Sequence, residues 1–128
     1  MDWTLEVVVV PVADVDRSIG FYRDAVGFRL DHDTRAGTQR FAQLTPPGSG
    51  CSIVLSAPSP MPPGSLRGVQ LVVADAYRAR DELVSRGVAA DEIQIIDERD
   101  GGTMFGFSDP DGNTWMVQEI RARADPQP

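Results

Sequence analysis

Apolar residues follow two rhythms along this chain, and the alternation between them lays out its elements. Residues 5–12 (LEVVVVPV) form a β-branched run that predicts a strand. The spacing then changes: Ile19, Phe21, Tyr22 and Val26 recur at roughly helical intervals up to Gly27. Asp14 or Asp16 stands where a helix N-cap belongs. Short apolar runs return at 28–34, 38–44 and 51–56, parted by Ala36-Gly37 and the Pro/Gly/Ser-rich 46–50. A second pass has the same order. It predicts a strand at 66–73, a helix at 75–85 stopping at Gly87, and strands near 92–97, 103–107 and 114–120. Between the last two, PDGN predicts a turn: Pro110 presets φ, and Gly112 and Asn113 tolerate positive φ.

The two passes also match residue by residue. Val12-Ala13-Asp14 aligns with Val73-Ala74-Asp75, and Arg17 with Arg78, at an offset of 61. LTPPGSGCSIVLS at 44–56 resembles FSDPDGNTWMVQE at 107–119, at an offset of 63. A single domain over 1–128 is therefore expected, α+β in class. Its parts are a first βαβββ module at about 4–56, a Pro/Gly/Ser-rich linker at 57–65, a second module at about 66–121 and a tail at 122–128.

Composition narrows the function classes. With 128 residues and 41% hydrophobic content the chain is long and apolar enough for one substantial core. A net charge of −7, with all 12 basic residues being Arg and none in a long block, argues against nucleic acid as a partner. No run of about eighteen apolar residues exists to span a membrane. The opening MDWTLEVVVV has no basic region and no small-residue cleavage site, so it does not read as a signal peptide. One cysteine, Cys51, cannot form an internal disulfide, and a cytoplasmic location is the expectation.

The helix entry ADVDRSIGFYRDAVGF, its counterpart VVADAYRARDELVSRG and the closing FSDPDGNTWMVQE resemble the vicinal oxygen chelate superfamily. That superfamily includes glyoxalase I, extradiol dioxygenases and bleomycin-resistance proteins. The resemblance covers nearly the whole chain. It implies that the two modules form a U-shaped mixed sheet around a concave pocket. In metal-dependent members, His, Gln or Glu from the first strand of each module and from the closing strands hold a divalent ion. Carried onto this chain, those positions are Val7, Ile53, Gly68 and Met116. Three offer no side-chain donor, and a thioether is a poor partner for the harder divalent ions. No metal and no other cofactor is expected. Glu6 and Glu119 have the wrong strand parity to substitute.

What parity leaves on the concave face is apolar with a few amides. Val7, Val9, Ile53, Gly68, Gln70, Met116 and Gln118 are the expected ligand-binding residues, with Leu5, Cys51, Leu55, Val72 and Thr114 around them. Trp115, of opposite parity, is expected under a helix. His32, the sole histidine, is the candidate for acid–base work; parity groups it with Leu30 and Phe28. The expected function is metal-independent binding of an apolar or aromatic small molecule, as the resemblance to bleomycin-resistance proteins implies, in a homodimer. A metal-free isomerase, cyclase or lyase using the same pocket is the alternative. A metal-dependent lyase or dioxygenase requires ligands that the aligned positions lack.

Overall fold

Asp14, rather than Asp16, caps the first helix: its Oδ1 accepts from the Arg17 backbone N–H at 3.0 Å. Asp75 does the same for the second, accepting from the Arg78 N–H at 3.0 Å. Each carboxylate satisfies a donor that an α-helix leaves without an internal partner. The computed structural model describes residues 1–124, so of the expected tail only 122–124 is described, and 125–128 lie outside the described residues. In chain order the elements are β1 (Val7–Pro11), α1 (Val15–Ile19) continuing as a wider π-type helix (Gly20–Val26), β2 (Arg29–Ala36), β3 (Gln39–Thr45) and β4 (Ser52–Ala57). Then come β5 (Val69–Val73), α2 (Ala76–Ser85), β6 (Gln94–Ile95), β7 (Thr103–Ser108), β8 (Thr114–Glu119) and a short 3₁₀ turn (Arg121–Arg123). Two βαβββ modules are present, as the repeat predicts. The strand expected near 92–97 is cut to Gln94–Ile95.

The chain divides into two units. Unit one is Met1–Leu66 together with Asp109–Asn113; unit two is Arg67–Ser108 and the chain from Thr114 on. Unit one holds a sheet of order β1-β4-β3-β2, with β1 parallel to β4 and the other pairs antiparallel. On one face Val10, Ala42, Leu44, Ile53 and Leu55 are buried together with Val15, Ile19, Tyr22 and Phe28 of the helical segment and its exit. Each large apolar side chain so buried contributes about 1.5–3 kcal/mol. Unit two repeats the plan with order β5-β8-β7-β6. There Phe105, Phe107, Trp115 and Val117 are buried, as are Ala76 and Leu83 of α2. Trp115 stacks on Phe107 with ring centroids 6.0 Å apart, on the face opposite to Met116, as its parity predicts.

The PDGN turn does far more than reverse the chain. Asp109 is buried and accepts four hydrogen bonds. Two come from its own turn, the N–H groups of Asp111 (3.0 Å) and Asn113 (2.9 Å). The Asn113 side-chain amide donates a third at 2.7 Å, and the Tyr22 hydroxyl a fourth at 2.7 Å. Asn113 also donates to the Pro11 carbonyl at 2.9 Å and accepts from the Leu66 N–H at 3.0 Å. Asp111 accepts from the Ala13 N–H and pairs with Arg17 at 2.9 Å. Five residues from late in the chain thus complete the polar interior of unit one.

Candidate functional site

In each unit the sheet face away from the buried core is the face that could meet a ligand, and strand register decides what lies on it. In unit one the rows across that face are Val7–Ser52, Val9–Val54–Gln43–His32 and Pro11–Ser56–Phe41–Thr34. Val7 and Val9 lie there as expected. Ile53 does not: it registers with Val8 and Leu44, is 4% exposed and belongs to the core. Leu55 is buried beside it, so Val54 takes the place expected of Ile53. The reason is one residue of turn. Six residues, 46–51, join β3 to β4, whereas five, 109–113, join β7 to β8. Side chains alternate with period two, so one extra residue exchanges the faces.

His32 also lies on this face, and only its grouping with Leu30 is corrected. It shares the Val9–Val54–Gln43 row, but not with Leu30, which registers with buried Leu44. A register shift between Leu30 and His32 places the two on opposite faces. His32 is exposed, and its contact is a 3.5 Å approach of Nδ1 to Thr34 Oγ1. No nucleophile or second acid–base group accompanies it in that row. Beside it Arg40 bonds Asp33 at 2.7 Å and Asp16 at 2.8 Å. Those hydrogen bonds hold both carboxyls below the usual carboxylate range.

Unit two carries the richer face. Its rows are Gly68–Thr114, Gln70–Met116–Gly106 and Val72–Gln118–Met104–Gln94. All four residues expected here, Gly68, Gln70, Met116 and Gln118, lie on it. Gln70 Nε2 donates to Gln118 Oε1 at 2.6 Å, and Gln118 Nε2 donates to the Gly101 carbonyl at 2.8 Å. Gln118 thereby holds both the 97–102 loop and Gln70, while Gln70 keeps its amide oxygen for other partners. Next to Gln118 a depression of about 350 Å³ is lined by Asp97, Arg99, Asp100, Gly101 and Gly102. Gly68 leaves open space where a side chain would stand, and its φ of +71° gives a second reason for glycine. Glu119 points away: its carboxylate accepts from the Ala76 N–H at 3.0 Å and from Arg121 at 3.0 Å.

The donor chemistry does not fit the divalent ion of metal-dependent family members. With the register corrected, the aligned positions are Val7, Val54, Gly68 and Met116. Among the described residues no three His, Cys, Asp or Glu side chains are grouped to hold a metal. Two amides already bonded to each other do not make up the difference.

Comparison with known proteins agrees with the fold. Residues 4–117 match the model of the Glyoxalase/Bleomycin resistance protein/Dioxygenase superfamily, and the chain belongs to that family. Among solved structures it is similar to TnmS3, an antibiotic binding protein from Streptomyces sp. CB03234. Identity there is 36%, the match covers 93% of this chain and 97% of that one, and the TM-score is 0.83. A glyoxalase/bleomycin resistance protein from the same Streptomyces is 37% identical, with 91% and 100% covered and a TM-score of 0.80. A superfamily member from Sphaerobacter thermophilus DSM 20745 is 27% identical, with 92% and 98% covered and a TM-score of 0.81. A search of the curated proteins found no match. Among the described residues no helix is long and apolar enough to cross a membrane.

Proposed function

We propose that this chain is a cytoplasmic, metal-independent binding protein that sequesters an apolar or aromatic small molecule of the antibiotic kind. The observation that carries this reading is the chemistry of the unit-two face: thioether, valine and amide side chains line it, and Gly68 and Met116 stand where metal-dependent members place ligating side chains. Methionines suit such a role because their flexible, polarisable chains adapt to varied ring shapes. The likeness to an antibiotic binding protein across nearly the full length of both chains supports it further.

Titration with a panel of aromatic antibiotics, bleomycin included, is expected to give saturable binding at micromolar or lower concentration. The ligand should be recovered unchanged. Met116→Lys is expected to weaken binding about tenfold or more by putting a hydrated ammonium under an apolar ligand. Conversion of a bound compound to product, or stoichiometric retention of Mn, Fe, Ni or Zn after desalting, would overturn the reading.

The proposal includes a homodimer. Trp3 is 88% exposed, Leu5 72% and Val7 36%, in line with the edge strand β1. An apolar run beside an unpaired strand edge favours association. Sedimentation at micromolar concentration is expected to give twice the chain mass, shifting toward the monomer in Trp3→Asp/Leu5→Asp; a wild-type monomer would reject it.

A further inference from the structure

Gly106 interrupts the apolar strand TMFGFS, and its missing side chain makes room for a carboxylate. A methyl group placed there would lie 2.8 Å from Asp91 Oδ2, 3.4 Å from the Trp115 carbonyl oxygen and 3.5 Å from Met116 Sδ. Asp91 Oδ2 therefore lies over the centre of β7, on the face carrying Gln70, Met116, Met104 and Gln118. A glycine inside a strand is a sequence signal for such close approach.

The segment bearing Asp91 is firmly held. Its N–H donates to the Gly106 carbonyl at 2.8 Å, and Ala90 bridges Phe107. Arg80 of α2 donates to the Asp91 carbonyl at 2.7 Å and to the Ala90 carbonyl at 3.2 Å. Its remaining ion pair, at 3.8 Å, is with Glu92. The cation held against this segment is thus engaged with backbone and Glu92. Among the described residues no hydrogen bond or ion pair reaches the Asp91 side chain. No arginine stands in any row of this face.

We propose that Asp91 is the counter-ion for a protonated amine on the ligand, whose apolar or aromatic body lies over Met104, Met116 and Val72. The inference rests on the binding function proposed above and names the chemical class that this face selects. An apolar body covering the face removes water from Asp91. Left unpaired, a dehydrated carboxylate is costly, whereas an ammonium N–H restores both charge balance and hydrogen bonding. A neutral or anionic ligand leaves it bare, so the same group attracts one class and rejects the others.

The test uses daunorubicin, a planar aromatic antibiotic with one protonated amine, and its N-acetyl derivative, which keeps the rings and loses the charge. Wild-type protein is expected to bind the amine about tenfold more tightly, a preference that falls as salt rises. In Asp91→Asn the preference should vanish, through weaker binding of the amine and tighter binding of the N-acetyl form, which no longer buries an unpaired carboxylate. Equal binding of both forms by wild type, an undiminished preference in Asp91→Asn, or no binding of either form would overturn the Asp91 assignment. The broader binding reading is judged separately, on whether any member of the wider antibiotic panel binds.

Discussion

Replacing Asp109 with alanine is expected to lower the free energy of unfolding by about 3–5 kcal/mol, among the largest single-residue effects in unit one outside its apolar core. The size follows from what is left behind. Tyr22 and Asn113 are fully buried, and each points a donor at the Asp109 carboxylate. Removing the acceptor strands both without water, at about 1–3 kcal/mol each, and the Asp111 and Asn113 N–H groups lose their turn acceptor as well. Asp109→Asn is the informative control. It keeps one oxygen for the backbone donors but points an amide at the Asn113 amide, so about half the loss is expected. Urea unfolding monitored by tryptophan fluorescence measures both. A loss under about 1 kcal/mol for the alanine variant would mean that water replaces the carboxylate and that the turn is peripheral.

The second large effect is expected at Gly64, in the linker between the modules. Its N–H donates to the Pro11 carbonyl at 3.1 Å, its φ is +80°, and it is buried against the PDGN turn. A Cβ there would lie 2.0 Å from the Asp111 carbonyl oxygen and 2.9 Å from the Asp111 carbonyl carbon. Both are backbone atoms, so no rotamer change relieves the clash. Gly64→Ala is expected to cost about 2–5 kcal/mol, combining left-handed backbone strain of about 1–2 with overpacking of about 1–3. Gly48 separates the two parts: its φ is +82°, and a Cβ added there would meet nothing within 4 Å. Gly48→Ala should show the backbone part alone, about 1–2 kcal/mol. Equal losses for the two variants would refute the clash.

Both effects concern a motif whose local form is legible in the chain and whose partners are not. DPDGN announces a turn through Pro110, Gly112 and Asn113, and the structure has one. That its Asp109 accepts from Tyr22, 87 residues earlier, has no local signature. The candidate site divides along the same line. Parity counted within short strands, where alternation is dependable, puts Gly68, Gln70, Met116 and Gln118 on one face, and there they lie. Parity carried across a turn from the other module misplaces Ile53, because one additional residue in 46–51 reverses it. Leu30 and His32 are parted by a register shift that neighbouring side chains do not reveal. Asp91 has no sequence mark of its own, since it lies on a short edge segment away from the strongest apolar runs.

By itself the sequence determined the element order, the duplication, an N-cap at Asp14 or Asp16, and the absence of ligating side chains at the aligned metal positions. These depend on residue type and on spacing within a few residues, and both are written along the chain. Only the tertiary structure decided which face each strand turns to the core. It alone placed Asp91 over Gly106 and built the late PDGN turn into unit one. Those outcomes depend on turn lengths modulo two and on contacts between residues far apart in sequence, where the energy of a burial or a hydrogen bond exists only once both partners are in place.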